Sequence, residues 1–162
     1  MKLHFKTTLF DSEKDSWLIG ESVFHEKIRN KENIIILIEK EKSIWFGCYI
    51  HSRINTIISE DDEEGIEDSK SFVFTFKNKA MKFEMKKDKQ EEKTIRIFNE
   101  DHMNLFVIGN SEIQIGKEGL LGYCNQHEES YYNYHGISKA LTNQEGEENQ
   151  FDIKRILVWE MK

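Results

Sequence analysis

The sequence contains no proline and only two cysteines in its 162 residues. Average proline usage of ~5% would give roughly eight, but this absence indicates no particular function. Cys48 and Cys124 lie far apart in the sequence and form no CxxC pair, so they do not predict a disulfide framework. We expect reduced thiols, as in a cytoplasmic or nuclear protein, although a single Cys48–Cys124 disulfide stays open.

Long hydrophobic runs are also missing. The longest uninterrupted aliphatic run is "IIILI", residues 34–38, which is far too short to span a bilayer. The opening "MKLHFKTTLF" lacks the apolar stretch of a signal peptide, and neither end carries a lipidation motif. We therefore expect a soluble protein without membrane insertion, located in the cytoplasm or the nucleus.

The sequence lacks the short motifs of common catalytic sites. It contains no GxSxG, no P-loop and no GxGxxG, and its six histidines show no zinc-like spacing. The carboxylates lie mostly in charged runs, so no acid–base pair can be selected. Cys48 has no basic neighbour within its strand to lower the pKa of its thiol. We predict no catalytic, metal or cofactor site; a peroxide-consuming enzyme using Cys48 or Cys124 is the enzymatic alternative.

Aromatic residues are plentiful, with eleven Phe, five Tyr and three Trp. They supply enough apolar area for one sizeable core, which disordered chains lack. Short apolar runs alternate with polar residues, as in "SFVFTF" (71–76), where Phe72, Phe74 and Phe76 share a face, and in "MKFEM" (81–85). This pattern predicts an antiparallel sheet protein in one domain over residues 1–162. Helices are predicted at 21–30 and, more weakly, at 136–143.

Charge is distributed unevenly along the chain. The net charge of −7 argues against general attraction to nucleic acid or anionic lipid. Residues 60–68 carry seven acids and no base, which predicts an exposed acidic loop. Residues 77–96 carry eight bases against four acids, which predicts a basic hairpin.

The basic segment has two interpretations. The simpler one is a solvated hairpin whose lysines protect a sheet edge. The other is a patch that binds anions or nucleic acid. Its candidate residues are Lys82, Lys86, Lys87, Lys89, Lys93 and Arg96.

The order of several segments resembles one known family. These segments are "LFDSEKDSW", "FHEKI", "IIILIEKEKSIWFGCYIHS", "DSKSFVFTFKNK", "FVIGNSEIQI", "ESYYNYHG" and "FDIKRILVWEM". Together they cover nearly the whole chain and resemble the TLDc domain of the oxidation-resistance protein family. The resemblance assigns Gly47 to a structural glycine position and requires a small side chain at Cys48. In the stretch that resembles Phe-Gly-Gly-Gly-His-Asp-Leu, Gly109 is kept.

The resemblance implies an α+β, mainly β fold: a two-sheet antiparallel β-sandwich with a few flanking helices. It implies a non-catalytic interaction domain linked to oxidative stress, with the vacuolar proton pump (V-type ATPase) as a partner. The candidate partner-binding residues are Gly109, Asn110, Ser111 and Glu112. The alternative function is a nucleic-acid-binding regulator of oxidative-stress genes that acts through residues 77–96.

Overall fold

Two six-stranded antiparallel sheets form the framework in the computed structural model, which describes residues 2–59, 64–142 and 149–162, apart from the Lys42 side chain. With strands numbered along the chain, the first sheet has the spatial order β1 (Phe5–Asp11), β12 (Ile153–Met161), β2 (Ile34–Lys40), β3 (Ile44–Ile50), β5 (Phe72–Thr75) and β6 (Met81–Glu84). The second has the order β11 (Gln150–Phe151), β10 (Gly122–Cys124), β9 (Ile113–Gly116), β8 (Asn104–Ile108), β7 (Lys93–Ile97) and β4 (Ile66–Glu67).

The core lies between the two sheets. Residues at alternate positions, such as Ile34, Ile36 and Ile38 of β2, are fully buried because they point toward the facing sheet. Aromatic contacts cross this layer: the rings of Phe46 and Phe151 meet edge to face with centroids 5.4 Å apart. The predicted mainly β fold with two antiparallel sheets is confirmed.

Helical structure is scarcer than the sequence predicts. The only α-helix among the described residues is α1 (Phe24–Ile28), which is half the predicted length. It ends because Arg29 is extended (ψ 135°) and Asn30 is left-handed (φ 61°). The second predicted helix is wrong over its described part, residues 136–142, which form turns. Left-handed Gly136 and Lys139 (φ 75° and 51°) are incompatible with a continuous right-handed helix. No helix in the described ranges has the length and apolarity needed to cross a bilayer.

The prediction of a basic hairpin at 77–96 is wrong, because the two strands of this segment do not pair with each other. The segment does contain two strands, β6 and β7, with a 3-10 turn at Lys87–Lys89. However, β6 pairs with β5 in the first sheet, whereas β7 pairs with β4 and β8 in the second. Each strand buries its apolar side chains, Phe83 in β6 and Ile95 in β7, within the common core. The segment therefore crosses from one sheet to the other.

The structure describes only part of the predicted acidic loop at 60–68. Residues 60–63 lie outside the described residues. At the other end Ile66 and Glu67 form β4, and the Asp68 side chain is buried. Its carboxylate accepts backbone N–H bonds from His51 (2.7 Å) and Ser52 (3.1 Å), which explains why a charged group is tolerated there. The exposed-loop prediction is therefore wrong for this end of the segment.

Close packing explains the small residues in the centre of β3. A Cβ on Gly47 would collide with the carbonyl oxygen of Ile36 in β2 and would lie 3.1 Å from the Phe74 ring. Cys48 points the other way, into the core, where it is fully buried between Ile36 and Val73 of the adjacent strands. Cys48 and Cys124 are both free thiols, so the disulfide that the sequence left open is not formed.

Asp11 and Arg155 tie β1 to β12. The guanidinium donates from Nε to Oδ1 (3.2 Å) and from a terminal nitrogen to Oδ2 (2.9 Å) of a carboxylate that is almost fully buried. The hydrogen bonds from Arg155 hold the pKa of Asp11 below its usual range. This two-point contact fixes the register at the end of β1.

We expect Cys48→Leu to destabilise the protein by about 1–3 kcal/mol, because the larger side chain overpacks a filled core. Cys48→Ala, the matched control, should be tolerated far better because it adds no volume. Urea unfolding of both variants and the parent measures the difference. If the Leu variant unfolds at the parent's midpoint, this part of β3 is not close-packed as described.

We expect Asp11→Asn to lower the urea midpoint at pH 7, because the amide is a weaker partner for Arg155. Since the folded pKa of Asp11 is lowered, its contribution is present at neutral pH and is lost as pH falls through that folded pKa. The gap between parent and variant should therefore close in acid. Asp152→Asn, at an exposed position, is the control. A gap that is equal at pH 7 and at low pH would contradict the assignment.

Candidate functional site

The four predicted partner-binding residues form the turn between β8 and β9. Ile108 pairs with Ile113, so residues 109–112 are the connection of a hairpin. Gly109 and Ser111 are both left-handed (φ 66° and 60°), which produces the tight reversal. A Cβ on Gly109 would run into the Glu112 carboxylate, so glycine is required there for space as well as for conformation. The structure thus brings the four residues together.

The Glu112 carboxylate is the centre of a buried hydrogen-bond network. Its Oε2 accepts from the N–H groups of Asn110 (3.0 Å) and Tyr131 (2.8 Å). Its Oε1 accepts from the Tyr132 N–H (3.1 Å) and the Tyr134 hydroxyl (3.0 Å). One side chain therefore satisfies four donors and attaches the segment 131–134 to the β8–β9 turn.

Burial dominates the electrostatics of Glu112. Removal from water raises the pKa of this carboxyl, even though the three N–H groups and the Tyr134 hydroxyl favour its charged form. Glu112 is 1% exposed, so it cannot touch a partner directly. Gly109 is also buried, which leaves Asn110 and Ser111 as the half-exposed residues of the turn. A partner-binding role for this turn stays a prediction, in which the side chains of Asn110 and Ser111 would make the contact.

The predicted anion-binding residues do not form one stripe. Lys82 projects from β6 of the first sheet and pairs with Glu84 (2.8 Å). Lys93 lies in β7 of the second sheet and pairs with Glu67 (3.0 Å). Arg96, also in β7, is half-buried. The patch is divided because β6 and β7 belong to different sheets.

The remaining basic candidates cluster in the turn between these strands. Lys86 donates to the Glu128 carbonyl (3.3 Å), and the Lys89 ammonium lies 5.6 Å from the centre of the Tyr131 ring. Lys87 is exposed in the same turn. Three lysines therefore share one loop, although contacts to the 128–131 segment already engage two of them.

Lys117 is a buried cation that sequence reasoning missed. Its ammonium donates to the carbonyl oxygens of Asn99 (2.6 Å), His102 and Asn104 (3.4 Å). Burial lowers the pKa of Lys117 to about 8, against the opposing effect of Glu100 and Asp101. The side chain is fully buried, so it anchors the β7–β8 loop and offers no access to a reactant. The only signal in the sequence is that Lys117 lies between two closely spaced glycines, in "GKEG" (116–119).

A second feature that sequence reasoning missed lies on the outer side of the first sheet. The shared face of Phe72, Phe74 and Phe76 was predicted, but this face points away from the core. We name the outward-facing set the aromatic face. It consists of Ile35, Leu37, Tyr49, Phe72, Phe74, Phe76 and Trp159, and it borders a groove of about 430 Å³. The groove floor and walls are almost entirely apolar.

The described part of the chain contains no cluster of side chains that could bind a metal ion. Over residues 2–59, 64–142 and 149–162, no three His, Cys, Asp or Glu side chains are grouped so that they could hold a metal ion. Two of the buried titratable groups, Glu112 and Lys117, are held mainly by backbone partners.

The family of this chain follows from a comparison of its sequence with protein-family models. The model of the TLDc domain matches residues 6–162, which is essentially the whole chain. The chain belongs to the TLDc domain family. This is an oxidative-stress-related domain family, as the resemblance implied. A search among curated proteins found no match. Within this TLDc domain, the β8–β9 turn and the aromatic face are candidate surfaces for a protein partner.

We expect Glu112→Gln to destabilise this TLDc domain although it removes a buried charge. The amide keeps one acceptor oxygen and turns its NH₂ toward donors, so at least one buried N–H loses its partner at a cost of about 1–3 kcal/mol. Urea unfolding is the measurement. Glu129→Gln, at an exposed position nearby, is the control. Equal stability of the two variants would show that the network does not hold the turn.

Proposed function

We propose that this TLDc domain is a non-catalytic interaction module that acts in protection against oxidative stress by binding a protein partner, the V-type ATPase. The observation that carries the proposal is the family match over residues 6–162. The fold is consistent with such a role because a sandwich displays turns at its ends, where a partner can reach them. The β8–β9 turn is one such position.

The state of the two thiols supports a binding role over peroxide chemistry. A peroxide-reducing cysteine needs an accessible thiolate of lowered pKa. Burial instead raises the pKa of the Cys48 thiol, and the side chain is fully enclosed. Burial likewise raises the pKa of Cys124, which is half-buried. Neither environment activates a nucleophile, so the enzymatic alternative has the weaker support.

The nucleic-acid alternative rests on the lysines of residues 77–96. The division of that segment between two sheets disperses its charge, and the overall net charge is −7. A nucleic-acid surface usually gathers its bases along one groove or ridge. The remaining support is the Lys86–Lys89 turn, where Lys87 is exposed. This function is therefore the second candidate.

Affinity capture from cells grown with and without peroxide tests the proposal. We expect the tagged chain to co-purify with V-type ATPase subunits, and a tagged pump subunit serves as the positive control. Both protein and nucleic acid in the eluate should be analysed. Loss of pump subunits from the eluate while the positive control succeeds would remove this partner. DNA that is released by salt and by Lys86→Ala with Lys87→Ala would favour the alternative.

A further inference from the structure

The outer side of the first sheet is unusual for a two-sheet protein. An antiparallel sheet normally buries one face and presents polar side chains on the other. Here a row of four rings runs on the outward side from β3 along β5 to Phe76, which directly follows β5. Centroids are 5.0 Å apart between Tyr49 and Phe72, 6.2 Å between Phe72 and Phe74, and 5.5 Å between Phe74 and Phe76. The solvent side of this sheet is therefore a second apolar layer.

The outward-facing apolar residues of the two sheets are covered in different ways. On the second sheet, Val107 is covered by Ile58 and Phe98, and all three are almost fully buried in a small separate cluster. On the first sheet, the described residues that line the groove belong to the sheet itself or to the β5–β6 turn. Within the aromatic face, Leu37, Tyr49 and Phe74 are only 7%, 5% and 8% exposed because neighbouring side chains cover them, whereas Phe76 at the edge is 53% exposed. Exposed apolar surfaces of this kind mark interaction sites in soluble proteins.

Several lysines lie on the β5–β6 side of this groove. The Lys82 ammonium lies 4.4 Å from the centre of the Phe72 ring, at the groove wall. Lys77 and Lys79 lie in the turn that leads from Phe76 to β6, and Lys70 lies just before β5.

Negative charge is scarce on the β5–β6 side of the groove, whereas Asp11 and Asp15 lie near Trp159 at the opposite, β1 side. Glu84 lies beside Lys82 and is paired with it. Glu39 lies on the outward side as well, at the far end of β2, where it faces Arg155 of β12. The β5–β6 side of the groove is therefore locally basic in a chain whose net charge is −7.

We propose that the aromatic face binds an acidic amphipathic segment of a partner protein. Apolar side chains of that segment would fill the groove, and its carboxylates would pair with Lys77, Lys79 and Lys82. The groove volume of about 430 Å³ holds a few anchor side chains. This inference rests on the proposed function, because it gives the binding module its contact surface.

The charge pattern distinguishes this occupant from a second copy of the chain. A twofold dimer would place the same patch on itself and bring the lysines of both copies together. Like charges facing each other across an interface are unfavourable, whereas carboxylates complement them. The aromatic rings also gain most from a ligand with apolar side chains. An acidic amphipathic segment satisfies both requirements.

A fluorescein-labelled synthetic peptide that alternates Asp or Glu with Phe and Leu serves as the probe, and fluorescence polarisation reads its binding. We expect saturable binding that Phe76→Ser and Lys82→Glu each weaken by about tenfold or more, as for central interface residues. Rising salt should also weaken it, since part of the attraction is between exposed charges. Both substituted residues are exposed, so the variants should fold.

Matched variants make the measurement specific. Met103→Ser removes an apolar side chain that is 60% exposed outside the groove, and Lys87→Glu reverses an exposed charge elsewhere in the basic segment. Both should bind the probe like the parent. A second peptide with Lys in place of every acid should not bind. Equal losses from the control variants, or equal binding of the basic peptide, would overturn the proposal.

Other occupants are outcomes that would also overturn it. Sedimentation that shows a dimer lost in Phe76→Ser would assign the face to a second copy. Binding to phosphatidylserine vesicles, but not to the peptide, would assign it to a membrane surface. Pump capture separates this proposal from the proposed function. Peptide binding without pump capture removes the pump alone, and pump capture without peptide binding removes the aromatic face alone.

Discussion

The insertion of β12 between β1 and β2 is the constraint on which the first sheet depends. β12 pairs with both neighbours, and β1 has no other partner strand among the described residues. Asp11 and Arg155, 144 positions apart in the sequence, fix the junction through two hydrogen bonds. Without this strand, β2 would lose one of its two neighbours and the outward apolar side chains would lose part of their support. Such long-range pairing also favours slow, cooperative folding.

The central position of β2 explains the unbroken aliphatic run at 34–38. A strand with one wet face alternates apolar and polar residues, whereas a strand covered on both faces is apolar throughout. Ile34, Ile36 and Ile38 face the core, and Ile35 and Leu37 line the outer groove. The run therefore carried the signal that the outer face is apolar. Periodicity in Phe72–Phe74–Phe76 alone could not show whether that face points inward or outward.

Local patterns predicted the local elements and failed where pairing is non-local. The strands β2 and β3 follow directly from "IIILI" and "IWFGCYI", because their turn is short and their side chains are strongly apolar. The basic segment failed because adjacent strands in the sequence usually pair, whereas β6 and β7 each find partners elsewhere. The buried, anchoring roles of Glu112 and Lys117 could not be predicted for another reason. Their partners are mainly backbone groups that only the folded chain brings together.

Those two buried charges bear on the proposed binding role of the domain. Glu112 holds the β8–β9 turn against residues 131–134, and Lys117 holds the β7–β8 loop through three carbonyl groups. Ordered loops lose less conformational entropy when a partner binds, so affinity is gained without any new contact. The same logic applies to the rings of the aromatic face, whose mutual contacts fix their positions in advance. Buried ionisable groups in this TLDc domain thus hold in shape the surfaces that we propose for recognition.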